Sequence, residues 1–165
     1  MVYAPLSAPS ACVKTFVGVP SAPASVTFTP AGSNSVTLKT AGAVTEQAAA
    51  GVQAGSLSLQ GGGAFNLAGS GNAVGTVAGN VGSLTLQQAG ALTVGTVDGV
   101  AGLAGTGALQ LSTTSGDLTL ANDVSTTASG ANAIVLNAGS AAAAGTASGG
   151  NIVASNGATV STGAG

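Results

Sequence analysis

Six side chains in this 165-residue chain carry a formal charge: Lys14, Lys39, Glu46, Asp98, Asp117 and Asp123, for a net charge of −2. Cys12 is the single cysteine, and there is no His, Arg or Trp. An acid–base pair acting on a polysaccharide needs two carboxylates, one held protonated beside an ionised partner. Asp98 and Asp123, 25 residues apart, are the pair that spacing offers, but no Arg and no aromatic platform accompanies them to orient a sugar. A serine nucleophile needs a base, and none is placed here, with both lysines confined to the first 39 residues. Without His or a cysteine cluster there is no standard zinc, copper or haem site. The calcium repeat GGxGxDxUx is absent, since Gly61, Gly62 and Gly63 are followed by no Asp. Gly102, Gly105 and Gly107 precede no Lys, so no phosphate loop forms. Two lysines make no basic surface for nucleic acid. The four carboxylates are therefore expected to sit in solvated turns, and neither a cofactor nor a catalytic site is expected. Cys12 reads as an incidental thiol.

Hydroxyls are the remaining candidates. Ser35/Thr37, Ser56/Ser58 and Ser83/Thr85 recur as pairs in similar contexts and would project outward from successive strands. Such an array of small hydroxyls could meet a glycan or ice. The series stops at Ala108/Gln110.

The elements that must position these residues follow from composition and repetition. Charged residues are 4% of the chain, against about 25% in an ordinary soluble domain, and aromatics are 2%. No window is apolar for the roughly 20 residues of a membrane-spanning helix, and one Tyr with three Phe cannot supply the aromatic girdles of a membrane barrel. A disordered or silk-like chain is the alternative that so much Gly, Ser and Ala raises. Mean hydropathy of +0.54 and the ordered recurrence of Leu and Val argue for a folded one.

All five prolines lie in residues 1–30, whereas 27 of the 28 glycines lie beyond residue 30. Residues 1–30 read as an extended leader or linker, with a strand at 24–29, and residues 31–165 as one repeat domain. Similar segments begin at Ser35 (SVTLKTAGAVTE), Ser56 (SLSLQGGGAFNL), Ser83 (SLTLQQAGALTV), Ala108 (ALQLSTTSGDLTL) and Ala133 (AIVLNAG), at spacings of 21, 27, 25 and 25. Apolar pairs at period two indicate strands, and GGG, QAG and TSGD are turn chemistry. The stretches 73–82 and 94–105 read as a looser third side. A chain returning to the same place every 21–27 residues predicts an all-β fold, a parallel β-solenoid of about five coils stacked at about 4.8 Å. Leu59, Leu67, Leu86, Leu92, Leu111 and Leu120 are the expected core. Gln60 should lie over Gln87, with Ser35, Ser56 and Ser83 in one column.

The runs NAVGTVAGNVGSLTLQQAGALTVGTVDGV, GALQLSTTSGDLTLANDV and GGNIVASNGATVSTGAG resemble the repeat region of filamentous-haemagglutinin-like adhesins, two-partner-secretion exoproteins of Gram-negative bacteria. The resemblance covers residues 31–165. It implies a right-handed parallel β-helix in a structural, non-catalytic stalk at the bacterial surface or outside the cell. It carries over no binding residue, and no export signal is visible in residues 1–30. The partners expected are neighbouring coils, further copies of the chain end to end, and a host-surface glycan or protein. A solenoid buries its core only between neighbours, and residues 149–165 carry neither charge nor proline. That last coil is expected to associate or to fray.

Overall fold

The computed structural model describes residues 14–17, 34–143 and 150–164. The expected strand at 24–29 lies outside the described residues.

Alternating inward and outward residues give fifteen strands and, among the described residues, no helix. They wind as a stack of coils. Coil 1 contributes β1 (Lys14–Val17), and coil 2 contributes β2 (Ser35–Lys39) and β3 (Val44–Thr45). Coil 3 is the single strand β4 (Gln53–Leu67) and coil 4 the single strand β5 (Ala73–Gln88). Coil 5 opens with β6 (Leu92–Val94), inserts a hairpin of β7 (Thr96–Val97) and β8 (Val100–Ala101), and continues with β9 (Leu103–Gly105) and β10 (Leu109–Thr113). Coil 6 comprises β11 (Leu118–Leu120), β12 (Val124–Thr126) and β13 (Ile134–Asn137). Coil 7 comprises β14 (Ile152–Ala154) and β15 (Val160–Ser161). Every pairing is parallel except that within the hairpin. The fold is a parallel β-solenoid of about five turns, coils 2–6, with the described strands of coils 1 and 7 making up only part of a turn each.

Three ladders run along the stack, each with an inward column of apolar side chains. In the first, Val36, Leu57, Val77, Val94, Leu120 and Ala154 lie in register. In the second, Leu38, Leu59, Gly79, Leu103, Val124 and Val160 do. In the third, Val44, Phe65, Leu84, Leu109 and Ile134 are joined by a parallel column of Leu67, Leu86, Leu111 and Leu136. All six leucines expected in the core are buried. Between the first and third ladders, buried polar side chains satisfy backbone groups that the turns leave unpaired. Asn72 Oδ1 accepts from Val52 N (2.7 Å), Gln88 Oε1 accepts from Val74 N (2.9 Å), and Thr113 Oγ1 accepts from Gly139 N (2.9 Å). An unpaired buried amide costs about 1–3 kcal/mol, so these side chains set where each turn closes.

The register corrects the repeat alignment. Val36 is followed in its ladder by Leu57 and then Val77, at steps of 21 and 20 residues. The stretch 73–82 is thus not a third side but the first and second ladders of coil 4, and β5 turns the corner into the segment that begins at Ser83. Gln60 stacks between Lys39 and Asn80, and Gln87 stacks on Ser112. The chain's resemblance to itself at Ser56 and Ser83 compares one ladder with another. β4 turns the same corner at Gly61, where φ is +100° and the register slips between Gly61 and Ala64. That backbone favours glycine, and a Cβ there would strike the Thr40 carbonyl oxygen. β1 pairs in register with β2, Lys14 opposite Val36, so the solenoid reaches into the segment read as leader.

The corner between the first and second ladders varies most. One residue, Ala78, spans it in coil 4, whereas residues 95–102 span it in coil 5, 121–123 in coil 6 and 155–159 in coil 7.

Candidate functional site

The hydroxyl residues fall on two different sides. Ser35 and Ser56 share an outward column, but the next members are Thr76, Thr93 and Thr119, not Ser83. Thr37 and Ser58 share the adjacent column, which continues with Ala78. Ser83 and Thr85 belong to the third ladder, where Ala64 and Asn66 precede them. The six positions therefore do not form one face. A five-membered hydroxyl column does exist: Ser35, Ser56, Thr76, Thr93 and Thr119. Sequence comparison missed three of its members because it aligned segments by their opening serine, whereas the register follows the inward Val and Leu.

The second column is covered. Thr37 is 6% exposed and Ser58 0%, although both point away from the core. The cover is the coil 5 hairpin. Its turn residues Asp98 (φ 50°) and Gly99 (φ 80°) are both left-handed, the backbone of a two-residue type I′ turn, for which Asp-Gly is a preferred pair. The hairpin folds back along the stack, and its Val97 is buried. At the tip, Asp98 Oδ2 accepts hydrogen bonds from Ser35 Oγ (2.8 Å) and Thr37 Oγ1 (2.9 Å), two residues of coil 2. On the other side Thr96 Oγ1 donates to Asn122 Oδ1 of coil 6 (3.2 Å). One short insertion thus contacts coils on both sides of its own.

Asp117 and Asp123 do related work at the other end. Asp117 Oδ1 accepts from Asn151 N (2.9 Å) and Asn151 Nδ2 (3.1 Å), and Asp123 Oδ1 accepts from Thr159 N (2.8 Å) and Thr159 Oγ1 (2.9 Å). Each aspartate immediately precedes a strand of coil 6 and holds the residue preceding the matching strand of coil 7. The Thr159 amide, and after it the Thr159 hydroxyl, lower the Asp123 pKa below the ordinary 3.8, against a smaller opposing effect of burial. Glu46 is fixed differently: its Oε2 accepts from Gly69 N and Asn72 Nδ2, both at 2.9 Å, while its Oε1 is buried without a donor among the described residues.

Asp98 and Asp123, the pair picked out by spacing, are not brought together. The Asp98 carboxylate reaches back to coil 2 and that of Asp123 reaches forward to coil 7. Among the described residues no three of His, Cys, Asp and Glu gather as a metal site, and no helix is long and apolar enough to cross a membrane. A cleft of about 280 Å³ opens where coils 5, 6 and 7 meet, lined by Ala101, Asn122, Asp123, Asn156 and neighbouring small residues. Asp123 is the one titratable side chain in its lining.

No family model matches the chain, and no curated protein or solved structure matches it either. The fold and the arrangement of its polar groups place the chain in the class of parallel β-solenoids.

Proposed function

We propose that this chain is a structural stalk segment of a bacterial surface or secreted adhesin-like protein, a non-catalytic rod that sets a distance. The observation that carries the reading is how the carboxylates are used. Glu46, Asp98, Asp117 and Asp123 each join one coil to another, so the rare charged groups serve cohesion along the stack axis. A rod of stacked coils transmits load through its ladders, and its length grows by about 4.8 Å per coil. The resemblance of residues 31–165 to filamentous-haemagglutinin-like repeats agrees with this use and with a location outside the cell. The test is force spectroscopy on the chain held between handles at residues 34 and 164, together with a reducing-sugar assay on a panel of polysaccharides. A stalk resists extension and releases no sugar. Extension at negligible force, or release of reducing ends, overturns the reading.

A second reading has one observation in its favour, the column of Ser35, Ser56, Thr76, Thr93 and Thr119 at coil spacing. A regular hydroxyl column on a stiff scaffold suits carbohydrate or ice. Glycan-array binding or thermal hysteresis that is lost in Thr76→Val/Thr93→Val would favour it over the stalk.

A further inference from the structure

The corner between the first and second ladders is where the stack departs from plain repetition. Its loops in coils 5, 6 and 7 follow one another along the stack, and between them lies the cleft of about 280 Å³. Three successive coils line this cleft at that one corner, so it lies along the side of the stack and not on an end face. Ala101, Ala121 and Ala158 give it apolar walls, and Asn122, Asp123 and Asn156 supply its polar side chains. Among the described residues much of their hydrogen-bonding capacity is unspent. Asp123 accepts through Oδ1, from Thr159 N and Oγ1, and its Oδ2 has no donor. Asn122 accepts through Oδ1, from Thr96 Oγ1, and its Nδ2 has no acceptor. The Asn156 side-chain amide has neither. In repeat proteins, loops gathered on one face are often the binding face.

We propose that this cleft binds a single uncharged sugar ring. Each hydroxyl of a sugar both donates and accepts, and the cleft offers both kinds of partner: a carboxylate oxygen that accepts, and two amides that donate. Coils succeed one another at about 4.8 Å, so groups on coils 6 and 7 can reach neighbouring hydroxyls of one ring. The alanine methyls meet the C–H groups of its face. Small-molecule sites begin at about 300 Å³, so the space takes one ring and not a chain of them. An anionic ligand is disfavoured, because the lining carries the Asp123 carboxylate and no cationic side chain. The bonds from Thr159 keep that carboxylate ionised at neutral pH. The lining holds no second carboxylate to act beside it, so the sugar is bound and not cut.

The inference goes beyond the stalk reading and does not rest on it. It also differs from the hydroxyl column, whose Thr93 and Thr119 are not in the lining. The test is a nuclear magnetic resonance titration of the 165-residue protein with the methyl glycosides of glucose, galactose, mannose and N-acetylglucosamine, read at backbone and asparagine side-chain amides. The expected result is that at least one glycoside shifts the signals of 121–123 and 156–159 saturably, at millimolar concentration. Asn156→Gly removes the amide while suiting the left-handed backbone there, and it should weaken that binding at least tenfold. Thr76→Val/Thr93→Val should leave it unchanged. Unshifted signals away from the corner verify that each variant is folded, and the map on the parent decides the matter if one is not. No shift with any glycoside, shifts confined to other residues, binding indifferent to Asn156→Gly, or tighter binding of methylammonium than of every sugar overturns the proposal.

Discussion

Coils 2–5 and coils 6–7 share one alternating pattern and are held in different ways. In the first group the inward columns of coils 3–5 have a neighbour on both sides, buried Asn72 and Gln88 close the turns, and the hairpin lies across the outside. In the second, coil 6 still buries Leu118, Leu120 and Val124, whereas coil 7 is held by the backbone ladders and by Asp117 and Asp123 at the surface. Within the second group, Val124 of coil 6 and Val160 of coil 7 show where the difference arises. They are the same residue type in the same column one coil apart, and one is fully buried while the other is half exposed. In a solenoid, burial belongs to a position's neighbours rather than to its own residue.

The largest effect should come from the well-covered group. Leu86→Ala, between Leu67 and Leu111, is expected to cost about 2–5 kcal/mol in a denaturant titration, whereas Val160→Ala should cost under about 1 kcal/mol. Equal losses would break the comparison. Next is Asn72→Ala, which strands the Val52 amide and removes donors from Glu46, Leu67 and Gly69. The expected loss is about 1–3 kcal/mol, and exchange at Val52 should rise well above that at Val94. Asp98→Ala should be milder, about 1 kcal/mol, since its contacts are partly solvated. Its signature is faster exchange at 96–101 with the ladders unchanged, so protected hairpin amides in that variant would mean that Val97 alone holds the hairpin down. The smallest effect concerns pH. The pKa of Asp123 is depressed in the folded chain, so its contribution is complete above the ordinary aspartate value and is lost as pH falls through the lower folded one. Acidification below about pH 4 should loosen 159–161 before coil 4, and Asp123→Asn should loosen the same residues at neutral pH. Coil 4 exchanging first would reverse the order assigned to the two groups.

How much of this was legible in the sequence depended on which signal carried it. The solenoid and its core were, because Leu57, Leu59, Leu84 and Leu86 alternate with polar residues at the strand period. Coil 4 was not recognised as a coil of its own, because Val74, Val77 and Val81 stand among glycines and alanines whose value lies in close stacking. Nor was the covering of Thr37 and Ser58 visible. Residues 98 and 37 are far apart in the sequence, and Asp-Gly announces a turn without saying where its tip lands. The turn roles of Asp117 and Asp123 were expected. Their partners Asn151 and Thr159 lie 34 and 36 residues on, beyond any repeat of 21–27.

The corner that runs from one residue in coil 4 to eight in coil 5 has a consequence for how such a chain can change. Registers on either side stay matched whatever its length, so additions there need no compensating change in the core, and closing a longer loop adds little cost. Variation in this architecture can accumulate along one edge, as per-repeat insertions do when they map to loops on one face. A foreign peptide placed between Asn156 and Gly157, both already in left-handed backbone, would be displayed at the corner as cargo while the inherited framework beneath it remained the same.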